Sequence, residues 1–577
     1  MKHILHISYT LILCALCCFC TVPSEKDSSP LNNATTSIYT PNKQVMADSA
    51  VVVSAHPLAS KVGLDILRNG GNAIDAMVAV QFALAVVYPR AGNIGGGGFM
   101  IYRDHSGFST SLDFREKAPT KAFRDMYLDE QGQVIDSLSR FGHVSVGVPG
   151  SVDGMWTAHQ KFGKPPWKSL VKPARLLAQN GVVLTPNEAA SYNQFKSIFN
   201  QYNPHDHAFD KDSEWVAGDT FIQADLARVL MAIEEEGRSG FYEGKTAEHL
   251  VKEVTKGGGM IDYDDLSAYK SVWRNPIRFN YKDFNIISMP PPSSGGICLA
   301  QLMQMVEKEP LHNWGFHDPR SIHIMAEAAR RAYADRAEFL GDPDFYPVPV
   351  DSLISPYYAR KRFSNRQLNK TSSSQKISHG NIPLESDQTT HFSIVDPEGN
   401  AISVTTTINS NYGSKVIVED AGFFLNNEMD DFSAKPGSYN QFGLLGNEAN
   451  AIQPHKRMLS SMTPTIVEKK DDLFMVVGTP GGSKIIMTVF QVIMNVIEFE
   501  LPLMDAVHQP RFHFQWLPDT LWHEKDAFST GIKEELTRLG YHVRPRSYIG
   551  LVEAILKKDG RLEGVADNRA EDTALGF

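Results

Sequence analysis

The sequence predicts a layered α+β sandwich, because strand pairs and helices follow one another in a way that places helices on both flanks of sheets. Two hairpins follow residue 388: THFSIVD, a PEGN turn and AISVTTTI, then TPTIVEK, a Lys-Asp-Asp turn and LFMVVG. The second hairpin runs directly into the apolar helical segment SKIIMTVFQVIMNVIEF. Helical periodicity also marks much of residues 165–270.

The segment from residue 59 to residue 115 predicts two helices and a hairpin. Gly70-Gly71 separates the helices, and Pro89 ends the second one. The stretch GGGGFMIYRDHSGFSTSLDFRE predicts a strand, a His-Ser-Gly turn and a second strand ending at Arg115. Since the run IGGGGFM enters a strand and no helix follows, we expect its glycines to allow close backbone packing rather than phosphate binding.

Two further helices and a linker precede the later hairpins. SMPPPSSGGICLAQLMQMV predicts a proline-rich turn and a helix, and HIMAEAARRAYADRAEFLGD predicts a helix with charge on one face. Residues 364–388 are polar, serine-rich and poor in large apolar side chains. They indicate a linker that ends where the first hairpin begins.

Chain length and net charge restrict the classes of protein to which this sequence can belong. A chain of 577 residues is long enough for one large domain or for two lobes. Its hydrophobic content of 42% and charged content of 21% are ordinary for a globular protein. The formal net charge of −10 argues against a nucleic-acid partner and gives no reason to expect an anionic membrane surface.

The N-terminus has the composition of a secretory signal. Residues 1–20 hold an apolar run, densest from Leu11 to Phe19, that is too short to span a bilayer comfortably. Cys20 could be lipidated and anchor the protein to a membrane, although the preceding Cys-Cys-Phe fits such processing poorly. Residues 21–45 are rich in Pro, Ser and Asn and predict a flexible leader.

Cysteine usage indicates a mature protein without disulfides. Four of the five cysteines lie within the predicted signal, and after its cleavage only Cys298 would surely remain. We therefore expect the core to stabilise the protein, even in an oxidising compartment.

Thr389, at the end of the linker, is a candidate nucleophile. A threonine hydroxyl needs a base within hydrogen-bond reach, and a cut before Thr389 would supply its own α-amine. Such an amine has a reference pKa of about 7.7–8.0, which suits a general base. From the pair Thr389-Thr390 alone, however, two ordinary strand residues are the favoured interpretation.

The glycine pair Gly481-Gly482 lies between a predicted strand and a predicted helix. Backbone N–H groups there could stabilise an oxyanion, or the pair could simply form a tight turn with positive φ. Alone, the residues favour neither interpretation. Phosphate binding is a third use, but neither a GxGxxG nor a Walker pattern is present.

Two polar clusters offer further chemistry. The acidic stretch LNNEMDDFS, residues 425–433, could hold an ammonium group or could form a solvated turn, which is the more common case. PHDHAFDKD, residues 204–212, has side chains that can bind metals. It lacks a zinc-type spacing and no HExxH is present, so we expect no metal.

Nine stretches in the same order resemble the γ-glutamyltranspeptidase family, from about Ala47 to the C-terminus. They are DFREKAP, IGGGGFM, VGVPGS, SMPPPSSGGI, AEAARRAYADRAEFLGDP, QTTHFSIVDPEGNAISVTTTIN, LNNEMDDFSAKPG, LSSMTPTIV and GTPGGSKI. The resemblance implies a four-layer αββα sandwich of the N-terminal-nucleophile hydrolase type. It also implies self-cleavage between Gln388 and Thr389, which would leave a large subunit, residues 46–388, folded with a small catalytic subunit, residues 389–577.

The same resemblance assigns residues to catalysis and to the carboxylate of a γ-glutamyl donor. Thr407 matches a family threonine that hydrogen-bonds the nucleophile, and across the PEGN hairpin the two can be neighbours. Gly481 and Gly482 would form the oxyanion hole. Arg115 would form a salt bridge to the donor α-carboxylate. Hydrogen bonds to that carboxylate are implied for Ser460 and Ser461.

The donor ammonium would be held by Asn409, Glu428 and Asp431, according to the same resemblance. The following stretch, SYNQFGLLGNEAN, looks like the lid loop of the family. Bacterial members commonly carry a capping tyrosine where this chain has Phe442. An aromatic cap remains, but a tyrosine hydroxyl bond to Asn409 does not, so we expect a lid that is held less firmly.

The resemblance implies a secreted or periplasmic γ-glutamyltransferase and glutathione hydrolase that needs no cofactor. Its partners would be a γ-glutamyl donor such as glutathione and an amino-acid or peptide acceptor. Two alternatives stay open: an acylase or poly-γ-glutamate hydrolase of the same fold, and a catalytically silent binding protein.

Overall fold

The computed structural model describes residues 39–377, 389–437, 440–441 and 443–577. The predicted secretory signal, most of the predicted leader, Gln388 and Phe442 lie outside the described residues. The predicted leader boundary at residue 45 falls inside the first strand, Gln44–Ala47. No helix among the described residues is long and apolar enough to cross a membrane.

Nineteen strands occur in the described part of the chain. In chain order, β1 to β19 are Gln44–Ala47, Val51–Ser54, Gly97–Arg103, Ser109–Asp113, Val182–Val183, Thr220–Phe221, Val272–Arg274, Ile277–Tyr281, Phe284–Ser288, Thr390–Val395, Ala401–Thr407, Thr465–Lys469, Asp472–Gly478, Phe512–His513, Leu521–His523, Val543–Pro545, Glu553–Lys558, Arg561–Ala566 and Thr573–Gly576.

Eighteen α-helices occur in the same described part. In chain order, α1 to α18 are Pro57–Arg68, Ala73–Val87, Asp136–Arg140, Ser151–Phe162, Trp167–Asn180, Pro186–Tyr202, Ala224–Glu236, Ser239–Tyr242, Gly244–Lys256, Tyr263–Ala268, Gly295–Val306, Leu311–Trp314, Pro319–Phe339, Val350–Leu353, Pro356–Phe363, Lys484–Ile497, Leu503–His508 and Thr530–Leu539.

Two seven-stranded antiparallel sheets form the centre of the fold. Their strand orders are β1-β18-β17-β13-β12-β9-β8 and β19-β2-β10-β11-β3-β4-β7. The sheets pack face to face, α11 and α16 cover the outer face of the first, and α1 and α2 cover the second. One buried apolar cluster fills the space between the two sheets and joins the first sheet to α11 and α16, and another joins the second sheet to α1 and α2. The predicted four-layer αββα sandwich is therefore confirmed.

The two hairpins and the helix predicted after residue 388 are also confirmed. Strands β10 and β11 pair from Thr390 opposite Thr406 to Val395 opposite Ala401. Strands β12 and β13 form the second hairpin, and α16 follows it. Hydroxyl groups on β10 and β11 reach across to the other sheet: Ser393 donates to the Glu553 carbonyl at 3.0 Å and Ser403 to the Val477 carbonyl at 3.1 Å. These bonds fix the β10–β11 hairpin against its neighbouring sheet.

The glycines of IGGGGFM pack closely against backbone, as the sequence predicts. A Cβ atom on Gly96 would lie 2.0 Å from the carbonyl oxygen of Thr407, and one on Gly98 would lie 2.5 Å from that of Thr405. Contacts this short exclude any larger residue, so glycine lets β3 pair with β11 beside the end of the first hairpin.

Three sequence predictions differ from the structure in detail. The strand expected to end at Arg115 ends at Asp113, and Arg115 follows it. The charged face of α13 is buried, because its arginines and carboxylates pair with one another and with polar groups. The described half of the predicted linker is docked rather than free: Ser372 donates to Glu327 at 2.6 Å and Ser374 donates to the Trp516 carbonyl at 2.6 Å.

Candidate active site

Thr389 immediately precedes β10 and is 6% exposed. The last pair of the β10–β11 ladder is Thr390 opposite Thr406, so Thr389 and Thr407 are the next residues at the same end of the hairpin. Both threonines line one small cavity at this end of the sheet. The structure therefore brings together the two threonines that the sequence singles out.

Thr407 and Asn409 are connected directly. The Asn409 backbone N–H donates to Thr407 Oγ1 at 2.7 Å, and the Asn409 side-chain amide donates to the Asn427 carbonyl at 3.0 Å. Asn409 has a φ of 71°, a left-handed conformation that asparagine tolerates better than most residues. This sharp turn after β11 directs the Asn409 side chain toward the same cavity.

The Gly481-Gly482 turn connects β13 to α16 and reaches the cavity at Gly482. Both glycines have positive φ, 137° at Gly481 and 55° at Gly482, so the turn interpretation of the sequence is correct. It does not exclude the oxyanion interpretation. The turn forms the entrance to a helix of 14 residues, where backbone N–H groups and the helix dipole favour negative charge.

Arg115 forms the centre of a buried charge cluster. Its guanidinium is fully buried and donates to Glu428 Oε1 and, at 2.5 Å, to Asp431 Oδ2. Burial opposes the charge of Arg115, but Glu428 and Asp431 outweigh that penalty and raise its pKa. Arg115, predicted to bind the donor carboxylate, is thus ion-paired in this structure with Glu428 and Asp431, which are predicted to bind the donor ammonium.

Glu116 belongs to the same cluster, although no sequence pattern assigns it a role. Its carboxylate is fully buried, lies 3.6 Å from Arg115 Nη1, and accepts no hydrogen bond from the described residues. Burial raises the pKa of Glu116 to about 8. Burial, together with the nearby carboxylates, also raises the pKa of Glu428 well above its usual range. Burial therefore favours the protonated form of both glutamates more than it is favoured in solvent-exposed glutamates.

Ser460 and Ser461 also line the cavity. Ser460 Oγ accepts from the Met462 backbone N–H at 3.1 Å, and Ser461 Oγ accepts from Arg336 Nη2 at 3.1 Å. Arg336, on α13, is the second arginine of the cavity and was also missed from sequence. The stretch AEAARRAYADRAEFLGDP contains it, but local sequence does not separate it from the other arginines of that helix.

The predicted lid loop contacts the site through residues on either side of Phe442. The Asn440 side-chain amide donates to Asp431 Oδ1 at 3.0 Å, and the Gln441 backbone N–H donates to Asp430 Oδ2 at 3.0 Å. Leu444 lines the cavity itself. The loop therefore touches the acidic groups of the site, while the role of Phe442 stays a prediction.

Among the described residues, one group of metal-capable side chains lies away from this site. His205 from PHDHAFDKD lies with Glu253 and Glu419, their ligand atoms all within 4.8 Å of one another. The Lys256 ammonium is 3.8 Å from Glu253 and 3.5 Å from Glu419, so a cation already lies beside both carboxylates. This arrangement gives a metal no clear advantage over the lysine.

The geometry suits acyl transfer to a threonine. A candidate hydroxyl nucleophile, a candidate oxyanion loop and a pocket with both signs of charge face one cavity. Together with the αββα fold, these features define the class of N-terminal-nucleophile hydrolases. A cephalosporin acylase from Bacillus halodurans has the same fold: it is 24% identical, with a TM-score of 0.82, over 96% of this chain and 99% of that one.

The sequence comparisons identify the family within that class. Residues 59–577 match the model of the family described as gamma-glutamyltranspeptidase. The glutathione hydrolase proenzyme of Escherichia coli K12 is 44% identical over 92% of this chain and 93% of its own length. The gamma-glutamyltranspeptidase of Helicobacter pylori is 45% identical, with a TM-score of 0.55, over 56% of this chain and 94% of that one. The chain belongs to the γ-glutamyltranspeptidase family.

Proposed function

We propose that this chain is a self-processing γ-glutamyltransferase and glutathione hydrolase with Thr389 as its nucleophile. One observation carries the proposal: Thr389, immediately before β10, lines the same cavity as Thr407, the Arg115 cluster and Gly482 of the glycine loop. Family membership supports the same reaction, since the E. coli relative is named as a glutathione hydrolase proenzyme.

Maturation is a cut of the bond between Gln388 and Thr389. The Thr389 hydroxyl attacks the Gln388 carbonyl, the amide nitrogen becomes the α-amine of Thr389, and water hydrolyses the resulting ester. A large subunit, residues 46–388, and a small subunit, residues 389–577, remain folded together. Support for their cohesion comes from β10 and β11, which lie between β2 and β3 in one sheet.

Donor cleavage repeats this chemistry on a γ-glutamyl amide. The Thr389 hydroxyl passes its proton to the α-amine as its oxygen attacks the γ-carbonyl. N–H groups of the Gly481-Gly482 turn stabilise the oxyanion. The C–N bond then breaks, and the leaving amine takes the proton. Water or an acceptor amino acid attacks the ester, which releases glutamate or a new γ-glutamyl product.

Donor recognition uses charges of both signs. The α-ammonium enters beside Glu428, Asp431 and Asn409, and the α-carboxylate meets Arg115 with Ser460 and Ser461. Arg115 is already paired with Glu428 and Asp431. When a zwitterionic donor binds, its carboxylate therefore takes the place of these partners at Arg115, and its ammonium pairs with the two carboxylates. Only a γ-linked glutamyl group leaves both α-groups available for this exchange.

Before it acts, the protein is exported through the signal at residues 1–20, and a lipid on Cys20 could retain it at a membrane. Fractionation of cells that express the full chain, with a Cys20→Ala variant for comparison, tests both points.

The enzyme assay compares three substrates with the processed protein: glutathione, a glutaryl amide and poly-γ-glutamate. We expect release of glutamate from glutathione, transfer to an added amino acid, and no release by a Thr389→Ala variant. Faster cleavage of the glutaryl amide or of the polymer would instead identify the related acylase or polymer hydrolase. A processed protein that cleaves none of the three would support a silent binding protein.

A further inference from the structure

Arg336 differs from the other buried arginines of the described chain. Seven arginines there are buried. Six of them have a carboxylate oxygen within 3.2 Å. These six are Arg103, Arg115, Arg330, Arg331, Arg457 and Arg511. No carboxylate among the described residues forms an ion pair with Arg336, although its side chain is only 4% exposed.

The groups around Arg336 are hydroxyls rather than charges. Its Nε donates to Ser294 Oγ at 2.9 Å, and its Nη2 donates to Ser461 Oγ at 3.1 Å. A guanidinium has five N–H donors, so these two bonds use only part of its capacity. Burial lowers the pKa of Arg336, and the more distant Asp431 offsets that effect only in part. The arginine still remains charged, because its ordinary pKa is so high.

A buried charge without a counter-ion destabilises the folded protein, so the position of Arg336 in the molecule is informative. Arg336 lines the same cavity as Thr389, Ser460 and Ser461. The other arginine of the cavity, Arg115, is engaged by Glu428 and Asp431. The charge of Arg115 is thus already balanced by carboxylates, whereas no carboxylate among the described residues forms an ion pair with Arg336.

We propose that Arg336 is a specificity-determining residue that, together with Arg115, binds the α-carboxylate of the donor and positions Ser461 for the same group. The inference rests on the proposed function and extends it, because it assigns the positive end of the pocket to α13. A donor carboxylate would give Arg336 the anion that every other buried arginine of the described chain already has. Ser294, at the turn before α11, holds the guanidinium in place.

The test compares two donors that differ only in the α-carboxylate: γ-glutamyl-p-nitroanilide and 4-aminobutyryl-p-nitroanilide. The ratio of their kcat/KM values measures the preference for the carboxylate. Replacing Arg336 by Gln should lower that ratio about tenfold or more, mainly through the KM of the glutamyl donor. Arg336→Lys retains the charge without the planar fork and should give an intermediate ratio.

Arg331→Gln is the matched control, because Arg331 lies on the same helix, is equally buried, and pairs with Glu327 away from the cavity. The ratio of kcat/KM values for the two donors should be the same in Arg331→Gln as in the wild type. If Arg336→Gln slows both donors equally, or leaves the ratio at the wild-type value, the inference is wrong.

Two further outcomes separate this inference from the proposed function. If the wild-type protein hydrolyses neither p-nitroanilide nor glutathione, the proposed function itself fails. If Arg336→Gln does not fold or is not processed, the Lys variant decides: an unchanged preference contradicts the role of Arg336, and a reduced preference supports it.

Discussion

Glu116 and Arg115 are adjacent buried residues whose charged groups lie 3.6 Å apart, with Glu428 on the same guanidinium. Because burial raises the pKa of Glu116 to about 8, its carboxyl is mostly protonated at pH 7 and ionises as the pH passes 8. That ionisation adds negative charge beside the groups proposed to hold the donor ammonium.

We therefore predict that the affinity for L-glutamate, measured as its inhibition constant, increases severalfold between pH 6.5 and pH 8.5. Glu116→Gln keeps the group neutral and should flatten this dependence. The exposed Glu130 provides the control variant, Glu130→Gln, which should retain the wild-type slope. An unchanged slope in Glu116→Gln would assign the pH dependence to another group.

The Thr407 hydroxyl should matter for catalysis rather than for folding alone. It accepts the Asn409 N–H at 2.7 Å and lines the same cavity as Thr389, the proposed nucleophile. Thr407→Val should lower kcat about tenfold or more and slow the processing of the precursor, whereas Thr407→Ser should retain most activity. Thr406→Val is the control, because the Thr406 hydroxyl bonds the Gly97 carbonyl at 2.9 Å on the other face of the strand. Equal losses at both positions would indicate a structural effect.

Gly482 combines a backbone requirement with a proposed catalytic role. Its φ of 55° disfavours a side chain by about 1–2 kcal/mol. Gly482→Ala should lower kcat far more than it changes the KM of the donor, because it shifts the proposed oxyanion loop. Gly315 has a φ of 95° and open space at its Cβ position, so Gly315→Ala carries a similar backbone cost away from the site. A kcat near wild type in Gly482→Ala, measured at saturating donor, would argue against this oxyanion loop.

A second buried acid pair should make stability depend on pH. Burial raises the pKa of Asp572 to about 7 and raises the pKa of Glu553 well above its usual range, with neighbouring carboxylates adding to both. The unfolded chain releases these protons near pH 4, so the folded state binds more protons between pH 4 and pH 7. The stabilisation is complete below pH 4 and is lost as the pH rises through 7.

Asp572→Asn removes one of these ionisations. The Tm of the variant should fall less between pH 5 and pH 8 than the Tm of the wild type. Calorimetry on the processed protein measures this difference. A wild-type pH dependence in Asp572→Asn would show that the pair does not control stability in this range.

Much of the fold was predictable because its signals are local. The PEGN turn and the alternation on either side determine the β10–β11 hairpin, and that hairpin brings Thr389 and Thr407 to the same cavity. The strand-to-helix glycine turn was likewise visible from a few neighbouring residues. The assignment of Arg115, Ser460 and Ser461 to a single pocket came from family resemblance, and the structure brings them to one cavity.

The features that could not be predicted from the sequence depend on contacts between distant segments of the chain. Glu116 is an ordinary charged residue until burial against Arg115 raises its pKa. The charged face of α13 suggests exposure, yet Glu327 binds two arginines of its own helix and accepts from Ser372 of the predicted linker. Arg336 is informative only when its lack of a carboxylate is compared with the pairing of the other buried arginines. No local pattern contains that comparison.

The central claim is that the chain cuts itself before Thr389 and exposes the nucleophile. Intact-mass measurement and N-terminal sequencing of the purified protein test it most directly. The account predicts two polypeptides, one of which begins Thr-Thr-His-Phe-Ser, and a Thr389→Ala protein that remains a single chain. A wild-type protein that stays intact while it hydrolyses glutathione, or a Thr389→Ala protein that is cut at the same bond, would contradict the account.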